Sequence, residues 1–188
     1  MGLGTVVAKW PALTGLDSAL VLYLHRYASP TLNAIVLGLT DLATLWGVLP
    51  ATLGLSAWLG WQRRWRESYF LVLTMLGTLV LSLLAKLLWH RERPHLWAGV
   101  SLPSDYSFPS GHATYSLAFV LAIILLTWYR PKRLWIIALS AIFVVFIGFT
   151  RVYLGVHYPS DIVGGWLLAI AWTLGLYQVL FRSSARNF

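Results

Sequence analysis

The chain has 188 residues, of which 59% are hydrophobic and 11% charged, with a mean hydropathy of +0.71. Water-soluble domains carry roughly 25% charged residues, so this composition excludes a protein that covers itself with polar groups and assigns much of its surface to lipid. Fourteen Lys and Arg against six Asp and Glu give a net charge of +8, and the lack of cysteine excludes disulfides, thiolate catalysis and Cys-bound zinc.

In chain order, the first 41 residues read differently from the rest. Lys9 is followed by Trp10-Pro11 rather than by an uninterrupted apolar run, which is unlike a cleavable signal peptide. Residues 18–40 are apolar but are broken by His25-Arg26 and Ser29-Pro30. This pattern predicts short helices in 1–41 that lie at the interface or partly span it. From 42 to 181 there are five apolar runs, at 42–61, 69–89, 113–129, 134–150 and 162–181, and only the second holds a charge, Lys86. Each is about long enough to cross roughly 30 Å of hydrocarbon as a helix, the form that satisfies its own backbone in lipid. The expected fold is therefore all-α, an integral membrane helical bundle of five or six transmembrane helices, forming one domain over 1–188 with its transmembrane core at 42–181. Pro50 and Gly164-Gly165 inside the runs are tolerable in that setting.

The basic residues fall in short runs between these segments, which points to membrane topology and anionic lipid rather than nucleic acid. With five spans, Arg63, Arg64, Arg66, Arg130, Lys132, Arg133, Arg182 and Arg186 share one side, which the positive-inside rule makes cytoplasmic. Segments 90–112 and 151–161 then face the periplasm or exterior, with Glu92, Asp105 and Asp161 among them. The expected location is the cell (inner) membrane.

Those two outward segments concentrate chemistry. Lys86, Arg93 and Arg151 are three cations at one membrane face, a costly arrangement near lipid. Arginine forks and a lysine point charge suit phosphate oxygens. Ser110-Gly111-His112 stands where a helix begins, so first-turn amides and the helix dipole favour an anion there. Gly111 permits close backbone approach, and the Ser110 hydroxyl offers another donor. His157 and Asp161 are four apart, so they can touch across one helical turn, with the carboxylate fixing the imidazole tautomer. On this reading His157 is the nucleophile, forming a phosphohistidine, and His112 is the acid for the leaving oxygen and then the base for water.

Lys86-(six residues)-Arg93-Pro94, Pro109-Ser110-Gly111-His112 and Arg151-(five)-His157-(three)-Asp161 together resemble the three-part signature of the type 2 phosphatidic acid phosphatase family, in order and in spacing, over about 86–161. The resemblance implies a membrane helical bundle, phosphatase action without magnesium or other cofactor, and the roles above for these positions. Lipid substrates implied by it are undecaprenyl diphosphate, phosphatidylglycerophosphate, phosphatidic acid and lipid A phosphates, and an outward site suits undecaprenyl diphosphate recycling. Thr150 stands where the family commonly has serine, and the N-terminus is short beside six-span members.

Other residues carry plainer expectations. His90 and His95, with His112, have no helical metal-pair spacing and no carboxylate cluster, so no metal site is expected and they read as interface histidines, as does His25. Arg91 and Glu92 are expected to pair with lipid or with each other. Trp46, Trp58, Trp61, Trp89 and Trp97 read as interface anchors. Asp105-Tyr106 is a minor candidate for shaping the headgroup pocket. Two further functions use the same cations: a lipid phosphotransferase with the same phosphohistidine, and a headgroup transporter without chemistry. A transporter has no need of the His157–Asp161 pair facing a second histidine.

Overall fold

The computed structural model describes residues 11–43, 47–96 and 104–182. Lys9, Trp46, Trp97, Arg186 and the Arg182 side chain, which carried expectations above, lie outside what is described. The chain forms seven α-helices among the described residues: α1 (Pro11–His25), α2 (Pro30–Thr40), α3 (Val48–Trp61), α4 (Trp65–Trp89), α5 (Gly111–Leu126), α6 (Arg133–Tyr153) and α7 (Pro159–Tyr177). A short 3-10 turn, Asp41–Ala43, follows α2, and a π turn, Gln178–Arg182, extends α7.

The breaks fall where local chemistry puts them. Ser29 caps α2 by accepting from the Leu32 amide at 3.2 Å, and Pro30 occupies the first helical position, where its missing N–H costs nothing. The α4 helix ends because His90 turns left-handed (φ 46°), its amide closing on the Lys86 carbonyl at 3.1 Å. The α6 helix ends in a left-handed turn at Gly155 (φ 66°), a conformation glycine adopts without strain.

α5 is the hub, packed against α4, α6 and α7, while α3 lies on α4 and the N-terminal pair docks on α6 and α7. The packing is inverted relative to a water-soluble bundle. On α4, Thr74, Thr78, Ser82 and Lys86 follow one another at intervals of four and are all buried, whereas Leu76, Leu79, Leu83, Leu84 and Leu87 point outward. Helices solvated by lipid gain nothing from hiding leucine, so small and polar groups take the helix contacts. The molecule is an all-α integral membrane helical bundle.

Three helices are long and apolar enough to cross a bilayer among the described residues: α4, α6 and Pro159–Phe181. The other two expected spans are shorter than the apolar runs suggested. α3 has 14 residues and α5 has 16, or about 21 and 24 Å at 1.5 Å per residue. Apolar composition ran past the helix ends into turns. At the N-terminus, α1 and α2 are short and separated at 26–29, as the sequence interruptions predict. Yet they do more than lie at an interface, because Asp17, Val21, Val36 and Thr40 are buried in the bundle.

Candidate active site

The site assembles where α4 and α6 end and α5 and α7 begin. Close approach there depends on the glycine pair of α7. A Cβ on Gly165 would stand 2.9 Å from the Ser110 carbonyl, and one on Gly164 2.3 Å from the Phe108 ring. The pair therefore admits the 107–110 segment against α7. The Ser110 amide then donates to the Asp161 carbonyl at 3.1 Å, and the Ser107 amide to the Arg91 carbonyl at 2.8 Å.

The loop after α4 carries the first cations inward. Arg93 donates to the Val156 carbonyl at 2.8 Å and to the Asp105 carbonyl at 3.0 Å, and Lys86 reaches the Tyr106 carbonyl at 2.5 Å. Both cations also hold the Asp105 carboxylate, Lys86 at 2.8 Å and Arg93 at 2.5 Å. Burial acts to raise the Asp105 pKa, but hydrogen bonds and charge from Lys86 and Arg93 outweigh it and bring the group down to about 2. Asp105 thus sits as an internal anion on two of the three expected phosphate ligands. Its 52% exposed side chain leaves it open to displacement by a ligand.

The third cation, Arg151, comes from the last turn of α6. It donates to Thr40 of α2 at 3.3 Å, and Thr40 shares a 2.9 Å hydroxyl contact with Thr150. The threonine at 150 keeps the hydroxyl its position calls for. Arg151 Nε and Ser110 Oγ are buried with no hydrogen-bond partner among the described residues. Two buried orphan donors at one site need an acceptor, and a phosphate supplies several.

The Gly155 turn folds the chain back so that the Val156 and His157 amides both reach the Arg151 carbonyl, at 3.2 and 3.4 Å. His157 is thereby fixed, 2% exposed, between Arg93 and Asp161. Arg93 approaches Nε2 at 3.0 Å. Because arginine only donates, Nε2 must present its lone pair, which assigns the proton to Nδ1. Nδ1 faces Asp161 Oδ2 at 3.4 Å, an ion-pair separation longer than a good hydrogen bond. Oδ2 already accepts from Ser107 Oγ at 2.7 Å and the Tyr158 amide at 2.9 Å. Burial, reinforced by Arg93 and Arg151 and opposed by Asp161, pushes the His157 pKa down to about 4. The imidazole is neutral near pH 7. His112, in the first turn of α5, is within electrostatic reach of Arg151, His157, Arg93 and Lys86.

All the residues singled out in the sequence therefore converge: Lys86, Arg93, Ser110, Gly111, His112, Arg151, His157 and Asp161. One expectation changes, that for Arg91, and His90 and Trp89 take packing roles beside their expected ones. Arg91 does not pair with Glu92 or lipid; it is 6% exposed and bridges Asp17 (2.8 Å) and Asp161 (2.5 Å). His90 is an α4 terminator packed edge-on against Tyr106, with ring centroids 4.5 Å apart. Trp89 stacks edge-on with Phe108 at 5.0 Å instead of only anchoring an interface. Sequence reasoning passed over Asp17 and Thr40 altogether. A lone carboxylate in an otherwise apolar helix was the available signal for Asp17; Thr40 offered none.

A lipid-solvated helical bundle that gathers buried cations beside a neutral histidine defines a membrane-integral protein with groups suited to phosphoryl oxygens. Known proteins agree. The PAP2 superfamily profile matches residues 68–185. An undecaprenyl-diphosphatase of Sulfolobus acidocaldarius is 31% identical over 73% of this chain and 66% of its own length. The undecaprenyl-diphosphatase BcrC of Bacillus subtilis is 30% identical over 84% of this chain and 78% of its own. In fold, the chain is similar to the crystal structure of a transmembrane PAP2-type phosphatidylglycerolphosphate phosphatase from Bacillus subtilis. That likeness has a TM-score of 0.84 and 24% identity, and covers 99% of this chain and 93% of that one. The chain belongs to the PAP2 superfamily, among its lipid phosphatases.

Proposed function

We propose that this protein hydrolyses a lipid phosphate or diphosphate at the outer face of the cell membrane through a phosphohistidine intermediate and without a metal. The observation that carries this is the neutral His157, its Nε2 lone pair facing the basic pocket and its Nδ1 facing Asp161. Substrate phosphate displaces Asp105 and is held by Lys86, Arg93 and Arg151, by the Ser110 hydroxyl, and by the backbone at Gly111. These donors supply the positive charge that a bound metal supplies elsewhere.

In the first step His157 Nε2 donates its lone pair to phosphorus, forming an N–P bond as the P–O bond to the lipid breaks. The leaving oxygen takes its proton from His112. Asp161 stabilises the charge that develops on His157. In the second step water attacks phosphorus, His112 accepts its proton, the N–P bond breaks, and inorganic phosphate leaves.

Two relatives named as undecaprenyl-diphosphatases favour a polyprenyl diphosphate; phosphatidylglycerophosphate and phosphatidic acid present the same phosphate at an interface. The exposed basic residues Arg63, Lys132 and Arg133 at the opposite end of the bundle favour a site on the periplasmic or exterior side, in an inner membrane. The test is phosphate release by the detergent-solubilised protein in chelating buffer, from these three lipids and lipid A, with His157→Ala alongside. Release from at least one lipid, lost in the variant, is expected. Transfer of the group only when an acceptor lipid is added would replace hydrolysis by phosphotransfer.

A further inference from the structure

Arg91 belongs neither to the phosphate pocket nor to the histidine pair, yet it is among the most heavily bonded side chains in the molecule. Its Nη1 donates to Asp161 Oδ1 at 2.5 Å and to Ser160 Oγ at 2.7 Å, and its Nη2 to Asp17 Oδ2 at 2.8 Å. The guanidinium lies over the Tyr158 ring, 4.3 Å from its centroid. Asp17, 5% exposed on α1, also accepts from the Ser160 amide at 3.1 Å and from the Ser160 hydroxyl. A continuous buried chain runs from Asp17 through Arg91 and Asp161 to His157.

Resting on the phosphohistidine reading above, we propose that Arg91, anchored by Asp17, is a positioning residue that keeps Asp161 ionised and aimed at His157 Nδ1. The geometry supplies the reason. Asp161 is fully buried, where a carboxylate without a counter-cation is strongly disfavoured. Arg91 occupies Oδ1 and so fixes the rotation of the carboxylate. Oδ2 is left to Ser107, the Tyr158 amide and His157. Asp17 balances Arg91 in turn, so that the cation does not cancel the negative charge that His157 needs when it becomes a phosphoimidazolium. The N-terminal helix α1 thereby completes the catalytic arrangement although it carries none of the three motifs.

Two substitutions of opposite charge read this out. The groups that bear on His157 are Asp161 from α7, Arg93 from the loop after α4, Arg151 from the end of α6 and His112 from α5, all unchanged by either substitution. In Arg91→Gln the coupled Asp161–His157 pair loses its neighbouring cation and takes up a proton more readily, whichever of the two holds it, so the acid limb of kcat/KM moves to higher pH. In Asp17→Asn the Arg91 charge loses its partner and the limb moves to lower pH. Because Arg91 does not touch substrate, kcat in Arg91→Gln falls about 10- to 100-fold, the range for outer supports of a reacting ligand, while KM changes little. Arg91→Lys restores part of the loss.

The experiment is a pH profile of phosphate release by the full chain in detergent, for wild type and these three variants, on whichever lipid the wild type cleaves. Opposite shifts of the acid limb support the proposal. Limbs that stay at the wild-type position in Asp17→Asn, the near-isosteric change that best preserves the fold, overturn it while leaving the phosphatase reading intact. A wild-type protein that releases no phosphate from any lipid overturns that reading and the proposal together.

Discussion

The two ends of the bundle use the same residue types in opposite ways. At the turns between α3 and α4 and between α5 and α6, Arg63, Arg130, Lys132 and Arg133 are exposed. At the other end Lys86, Arg91, Arg93 and Arg151 are 6–7% exposed. Exposed cations beside a membrane cost little and set orientation. Buried ones carry a desolvation penalty that is offset only by specific partners, and here the partners are Asp17, Asp105, Asp161 and Thr40. On the proposed function, the difference separates charge that orients the protein from charge that does chemistry.

The largest way to test that separation is to remove the group the buried cations surround. His157→Ala should lower phosphate release at least about 1,000-fold, as loss of a nucleophile does in other covalent mechanisms, while vanadate still binds to Lys86, Arg93 and Arg151. Turnover close to wild type would move the nucleophile elsewhere. His112→Gln should cost about 100- to 10,000-fold on a lipid with an alcohol leaving group. The loss should shrink on a diphosphate, whose phosphate leaving group needs less help from an acid. Equal losses on both would remove His112 from proton transfer.

Backbone approach sharpens the comparison at a smaller scale. Gly165→Ala places a methyl against the Ser110 carbonyl, so the α5 turn must shift and the pocket it completes should loosen. A loss in kcat/KM of about 100-fold is expected, the scale of a 1 Å misplacement near a reacting centre. The basic end, which makes no contact with this turn, should keep its structure. Thermal unfolding of Gly165→Ala in detergent distinguishes a shifted site from a failed fold.

The motifs were legible because each pairs a fixed spacing with a residue type that lipid disfavours. The α4 and α6 boundaries were legible to within a few residues, since apolar runs end at charged turns. Other features were hidden for physical reasons. Helix lengths for α3 and α5 were overestimated because an apolar residue in a membrane protein is compatible with helix, turn or interface. Arg91 read as a lipid contact because its partners lie 74 and 70 residues away, at Asp17 and Asp161, and no local period links them. The role of Asp105 depends on a loop, and that of Thr40 on how α2 docks against α6, and only tertiary contacts fix either.

Acidification should also separate the two ends. Folded His157 holds its pKa at about 4, against about 6.5 unfolded. The unfolded chain therefore takes up a proton between those values that the folded chain does not. Stability contributed by the neutral buried imidazole is complete above about pH 6.5 and is lost as pH falls toward 4. Thermal unfolding midpoints in detergent should fall through that window, and His157→Gln, which does not titrate, should flatten the slope. An unchanged slope would mean that His157 is solvated in the folded protein.

The smallest expected effect comes from the exposed end. Arg63→Ala, Lys132→Ala and Arg133→Ala, singly, remove solvated charges whose surface interactions contribute about 0–1 kcal/mol. Phosphate release in detergent should change less than about twofold. In anionic vesicles a combined triple variant should instead alter the sidedness of insertion, measured by protease access to the basic turns, because these charges act on topology and not on the reaction. A triple variant that inserts normally but loses turnover would join the two ends functionally and dissolve the distinction between them.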